Sequence, residues 1–208
     1  MGDVLELAPP GRGRWLVQNS PADRVPSHGT SRFALAHSID LVPVDERGRS
    51  APLRLSSLLR PEPPEVFPGF GRPLLSPARA VVVGVHDGEE DHAAHRGLPS
   101  VGYALTQGRR AAAGFAALAG NHVLLAVDHG GATVIVALCH LRRGSIRVRS
   151  GQQLAAGEEV AACGNSGNST EPHLHLQAMT AADPTTARAV PFAFPDGLPR
   201  AGQILEIP

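Results

Sequence analysis

No lysine occurs in this chain. All 19 basic residues are arginine, and 19 acidic residues offset them, so the formal net charge is zero. The missing lysine excludes Schiff-base chemistry and a phosphate-cradling P-loop. The charge balance argues against binding nucleic acid or an anionic membrane through bulk charge. Cysteine is nearly absent too: Cys139 and Cys163 are the only two, and they do not form a CxxC pair. Both lie in apolar runs, LCHL and VAACG, and read as small buried hydrophobes rather than a disulfide or a nucleophile. They leave the redox compartment open. No apolar run approaches the roughly 20 residues that a membrane-spanning helix requires. The opening MGDVLELAPPGRGRW carries early acidic residues and no apolar stretch, so it does not read as a secretory signal.

The chain does contain many strand signals. RWLVQN, SIDLVPV, ARAVVVGV, HVLLAVDH, ATVIVALCHL and HLHLQA are short aliphatic and β-branched runs bounded by Gly, Pro, Asn or Asp. VDHGGATV predicts a hairpin, because Gly130 and Gly131 can take the positive φ of a tight turn. GQILEIP predicts a closing strand. Helical periodicity is weak; SAPLRLSSLLR and GRRAAAGFAALAG can each hold a turn or two. A length of 208 residues suits one domain with its own core. The expectation is a mostly-β, single-domain fold built on an antiparallel sheet or barrel-sandwich-like assembly with little helix. Its insertions fall at about 47–77 and 86–120, with a C-terminal extension over 180–208. The first insertion is too rich in proline to be a regular element, and the second opens on the charged run HDGEEDHAAHRG.

The stretch SIRVRSGQQLAAGEEVAACGNSG alternates strand-like and turn residues as lipoyl and biotinyl carrier domains do. Those carriers need a lysine at the hairpin tip, so the carrier reading fails.

Ten histidines are many for this length. His173 and His175 stand at alternate positions in GNSGNSTEPHLHLQ, and on a strand they share one face. His140 ends the apolar strand VIVALCHL; taken alone it reads as a surface residue. Asp40 lies between Ile39 and Leu41, so its carboxylate faces away from both. If that face is buried, the charge must be paired or metal-bound. His28 sits in a Pro-Ser-His-Gly loop, and His37 precedes Asp40 by three residues. His122 and His129 flank a strand. His86, His92 and His95, with their acidic neighbours, read as solvated charge on a surface loop.

Taken in order, these pieces resemble the lysostaphin-like (LytM-type) zinc metallo-endopeptidases. The resemblance rests on the His…Asp segment SHGTSRFALAHSIDLV, a strand ending in CHL, the run GSIRVRSGQQLAAGEEV, and GNSGNSTEPHLHLQ. It covers about half the chain and is tightest over 120–177. It implies one zinc ion held by an Asp, a His and the second His of H-x-H, here Asp40, His28 and His175. His37 is the alternative third ligand. It further implies His140 and His173 as the non-ligand histidines of the site; zinc chemistry then assigns His173 as base and His140 as positioning water or stabilising the tetrahedral intermediate, with the reverse division as the alternative. The implied substrate is a peptide of bacterial peptidoglycan cross-links or stems, and the implied location is the cell envelope or outside the cell. The cytoplasm stays open because of the N-terminal composition. A non-catalytic member of the same fold, acting as a peptidoglycan-binding or regulatory scaffold, is the alternative; such relatives usually lack one or more of the five site residues. Oligomeric state is not legible.

Overall fold

The computed structural model describes residues 4–52 and 55–208. Its strands in chain order are β1 (Leu5–Glu6), β2 (Gly13–Val17), β3 (Ile39–Pro43), β4 (Pro73–Leu75), β5 (Ala80–His86) and β6 (Asn121–His129). They continue with β7 (Ala132–Leu141), β8 (Gln153–Leu154), β9 (Glu159–Ala162), β10 (Leu174–Met179), β11 (Phe192–Ala193) and β12 (Ile204–Ile207). Eight strands form one sheet in the order β12-β2-β3-β10-β7-β6-β5-β8, and every pairing in it is antiparallel. The mostly-β, antiparallel expectation therefore holds, and the six strand runs read from sequence all fall in this sheet.

The period-2 alternation of strands divides the sheet's residues between two faces. Leu174 and Leu176 pair with Leu41 and Ile39 and point into the main core. There they meet Leu74 of β4, Val160 and Ala161 of β9, and Phe192 of β11. His175 pairs with Asp40 on one side and Cys139 on the other, so these residues lie on the opposite face. On that face Leu124, Ile135, Ala137, Cys139 and Met179 form a second apolar cluster with Ala34 and Ala119. Strands β3 and β10 are consequently buried along their whole length. Both cysteines are buried and unbonded, and burial pushes both thiols up.

The Gly130–Gly131 hairpin joins β6 to β7 with φ of 62° and 80°, as its sequence predicts. β12 closes the sheet against β2. The 47–77 segment is more ordered than its prolines suggest, since its last residues form β4 and pair with β9. Of SAPLRLSSLLR, residues 53–54 lie outside the described residues, and Leu55–Leu58 is a short 3-10 turn. SIRVRS joins no ladder as a strand; Arg147 N donates to Val160 O.

The 86–120 segment departs most from its sequence reading. It holds three short helices, α1 (Leu98–Leu105), α2 (Gln107–Ala112) and α3 (Phe115–Ala119), of which α1 was not anticipated. Its charged run is anchored rather than merely solvated. Asp91 accepts from the backbone N of Asn165 at 2.7 Å and of Arg143 at 2.9 Å, and Asp87 accepts from Gly144 N at 2.8 Å. Tyr103 Oη donates to Gly167 O, and Arg110 Nε donates to Asn168 Oδ1. The insertion thus grips the 164–170 loop.

Backbone closeness explains the glycines of that loop. A Cβ on Gly167, whose φ is +70°, would lie 2.3 Å from Gly120 N. Gly130 has a similar φ of +62° but open space around it. Replacing Gly130 by Ala is expected to cost about 1–2 kcal/mol from left-handed strain alone. Gly167→Ala must also displace the Gly120 backbone, so its loss should exceed that of Gly130→Ala. Chemical denaturation of the two variants checks this, and equal losses would contradict it.

Candidate metal centre and catalytic cleft

Three elements bring the site together. β3 carries Asp40, β10 carries His175 with His173 just before it, and the 25–38 loop delivers His28. The His28, Asp40 and His175 donor atoms all lie within 4.8 Å of one another. His28 Nε2 is 2.9 Å from Asp40 Oδ2, and His175 Nδ1 is 2.9 Å from Asp40 Oδ1. Asn19 Nδ2 donates to Asp40 Oδ2 at 2.6 Å.

The hydrogen bonds behind each imidazole fix which nitrogen carries the proton. Gln177 Nε2 donates to Phe33 O at 3.0 Å, which turns its Oε1 toward His175 Nε2, also at 3.0 Å. That oxygen can only accept, so His175 Nε2 is protonated and the neutral ring presents a lone pair at Nδ1. His28 repeats the pattern with its nitrogens reversed. Ser38 Oγ donates to Leu35 O at 2.8 Å and lies 2.9 Å from His28 Nδ1, whose N–H it can accept. The lone pair of His28 then sits on Nε2. Two imidazole lone pairs and a carboxylate converge on one point, an arrangement that is repulsive until a cation or extra protons occupy it. Two nitrogens and one oxygen are also a donor set suited to Zn²⁺ with a fourth position open. Contacts of 2.9 Å need to open by only a few tenths of an ångström to accept bonds of about 2.0–2.2 Å to a shared ion.

His140 and His173 occupy the same cleft, with ring centroids 4.6 Å apart. His140 Nδ1 donates to Ser166 O at 2.9 Å, and His173 Nδ1 donates to Glu171 O at 2.8 Å. Each therefore turns an unprotonated Nε2 toward the cavity. His173 Nε2 lies 3.8 Å from Asp40 Oδ1. His140 is buried, which corrects the surface reading it receives in isolation. Its φ of 62° is left-handed, uncommon for a residue with a side chain and a form of strain found at functional sites.

The electrostatics follow the packing. Burial alone pushes the Asp40 carboxyl up, but His28, His175 and His173, where they carry the extra protons, outweigh it and hold the group well below the usual carboxylate range. Burial lowers His140 well below the ordinary imidazole value, and the neighbouring His173 and His175 add to this.

The remaining candidates lie apart from this cluster. His37 closes a 3-10 turn, Arg32–His37, instead of lying on a strand, and is not among the converging donors. His86 stacks on His122 at 5.3 Å, and His92 and His95 pack around Tyr103. Sequence reasoning missed the supporting residues Gln177, Ser38 and Asn19. Gln177 was accessible, because a position two beyond His175 on a strand shares its face. Ser38 and Asn19 reach the site only through loop geometry.

The whole defines a β-sheet protein with a His/Asp/His donor set beside two further imidazoles. The sequence matches Peptidase family M23 over residues 71–187, more than half of the chain, and the chain belongs to that family. The matched span contains His140, His173 and His175; His28 and Asp40 come from outside it and converge with them in space. No curated protein matches. Among solved structures, the catalytic domain of the prophage-encoded M23 protein EnpA from Enterococcus faecalis is 17% identical, with 74% of this chain and 73% of that one covered at a TM-score of 0.42. The catalytic domain of lysostaphin from Staphylococcus simulans is 15% identical, with 90% and 86% covered at 0.41. A zinc-containing peptidase from Vibrio cholerae is 18% identical, with 74% and 48% covered at 0.36. Family membership rests on the sequence match, not on these distant superpositions.

Two outcomes follow. His140→Gly should be about 1 kcal/mol more stable than His140→Ala, because glycine relieves the left-handed strain; denaturation midpoints that rank the other way would refute the strain. Secondly, His140 folds with a lowered pKa, so the unfolded chain binds more protons below about pH 6.5. His37, His95 and His122, each lowered by burial, act in the same sense. Stability of the metal-free protein is thus full above that value and lost as pH falls from it toward the folded values. Melting temperatures from about pH 7.5 to about pH 5.5 should fall, less steeply in His140→Gln. A flat profile, or one unchanged in the variant, would contradict this.

Proposed function

We propose that this chain is a zinc-dependent endopeptidase that hydrolyses peptide bonds in the cross-links or stems of bacterial peptidoglycan. The observation that carries the reading is the convergence of the His28, Asp40 and His175 lone pairs beside the unprotonated Nε2 atoms of His140 and His173. All five line one cavity of about 360 Å³. Membership of a peptidase family supports the reaction class. The substrate class, and action at the cell envelope or outside the cell, rest on the LytM-type motifs. Among the described residues no helix is long and apolar enough to cross a membrane. The whole chain, 1–208, is read as one catalytic domain.

His28 Nε2, Asp40 and His175 Nδ1 would hold the ion, and Gln177 and Ser38 would hold the two imidazoles in the tautomers that ligation needs. His28 is chosen over His37 because its Nε2 already points at Asp40 from 2.9 Å. A zinc ion bound there supplies a Lewis acid for the scissile carbonyl and for the attacking water. His173, its Nδ1–H committed to Glu171 O, accepts the water proton at Nε2 and returns it to the leaving amine. His140 is kept neutral by burial and spends its only proton on Ser166 O. Its Nε2 can accept a hydrogen bond but not donate one, which favours orienting the water over stabilising an oxyanion.

Substitution separates these roles. Purified His28→Ala and His175→Ala should lose bound zinc, whereas His37→Ala should keep about one zinc per chain. His173→Gln should retain zinc and lose roughly 10²–10⁴-fold in peptide release from sacculi. Metal analysis and an amine-release assay check these outcomes. Zinc loss in His37→Ala with retention in His28→Ala would overturn the ligand assignment.

A further inference from the structure

Among the described residues one cation, Arg32, lines the cleft without an acidic partner. Of the described side chains around the cavity, only Asp40 and Arg32 carry a formal charge when the histidines are neutral. Asp40 is enclosed by its histidines. Arg32 has no carboxylate within ion-pair distance among the described residues, whereas Arg49, Arg96 and Arg147 each have one. Exposed arginines without acidic partners are common on surfaces, but Arg32 differs in two respects. It lies at the cavity wall, and its guanidinium carbon sits 5.3 Å over the Phe33 ring. Such stacking orients the planar fork while leaving its N–H edges free to bind a carboxylate in two places.

The backbone beneath Arg32 is tied to the metal centre. Phe33 and Ala34 take φ of 54° and 60°, and Phe33 O accepts from Gln177 Nε2 at 3.0 Å. Gln177 in turn accepts from His175. The backbone next to position 32 is thus tied through Phe33 O and Gln177 to the donor set. Next to it the wall turns apolar: Phe33 faces Phe115 at 6.3 Å, with Leu118 and Ala119 beyond. Among the described residues no acidic side chain other than Asp40 lines this cavity to repel an anion.

We propose that Arg32 binds a carboxylate of the substrate on the Phe33–Phe115 side of the scissile bond, so that the cleft selects anionic peptides over neutral ones. This inference rests on the peptidase reading of the cavity. A peptide carrying a free carboxylate near the cleaved bond is the preferred class, and an all-glycine bridge is a poor one.

The probe is a preparation of bacterial sacculi, used as isolated and after its carboxyl groups have been converted to carboxamides by carbodiimide coupling with ammonia. Binding is read by co-sedimentation in chelator, where no hydrolysis intervenes, and cleavage is read as amine release with zinc. Wild-type protein should bind and cleave the native sacculi roughly tenfold better than the amidated ones. In Arg32→Gln that gap should close through loss on the native sacculi, and Arg32→Lys should restore part of it because charge is retained. Equal action of wild-type protein on both preparations, or a gap that persists in Arg32→Gln, would overturn the proposal. If Arg32-dependent binding appears but zinc-loaded protein releases nothing, carboxylate recognition stands and the peptidase reading fails.

Discussion

A buried carboxylate without a positive charge of its own is the constraint around which this fold is arranged. Asp40 is the second residue of β3, a strand buried on both faces, where an unpaired charge would cost several kcal/mol. Nothing on its own strand relieves it. Asn19, before the 25–38 loop, donates to Asp40, and His175 across the ladder and His28 on that loop face it with ring nitrogens that a shared cation would bridge to the carboxylate or that extra protons would turn into donors. Each of these is itself held from behind, by Gln177 and by Ser38 in the case of the two histidines. The result is a set of lone pairs pre-aimed at one point, and the proposed zinc ion is what makes that set stable.

The other half of the cleft depends on a different scaffold. His140 and His173 take their orientation from Ser166 O and Glu171 O, both in the segment leading into β10. That segment is clamped by the 86–120 insertion through Asp91, Tyr103 and Arg110. The close approach of Gly120 and Gly167 marks where the two backbones meet. The insertion therefore contributes to the geometry of the imidazoles as well as forming a wall of the cleft, through Phe115, Leu118 and Ala119. The core sheet positions the donors, and the insertion positions the proton-handling side.

Sequence made the sheet and the outline of the site readable for one physical reason: strand alternation is short-ranged. Asp40 between Ile39 and Leu41, and His173 and His175 around Leu174, declare their face from two or three neighbours. Their convergence, however, depends on β3 pairing with β10 across more than a hundred residues of chain, and only the ordered motifs pointed to it. Taken alone His140 reads as a surface residue, because a strand-end histidine is usually solvated; only the ordered motifs pointed to its place in the site, and nothing local reveals its left-handed φ. The charged run at 87–91 was misjudged for a similar reason. Its carboxylates cap backbone N–H groups far away in sequence, and composition cannot distinguish a capping aspartate from a solvated one. Helix α1 escaped because a short helix without a clear amphipathic period owes its existence to neighbours rather than to propensity.

The most direct measurement is anomalous diffraction at the zinc edge from crystals of the protein purified and reconstituted with zinc. The account expects one strong peak per chain, bonded at about 2.0–2.2 Å to His28 Nε2, Asp40 and His175 Nδ1, with a fourth position open to the cleft that holds His140 and His173. A peak bonded to His37 or to His86 and His122, or no peak at Asp40 in zinc-saturated crystals, would contradict it.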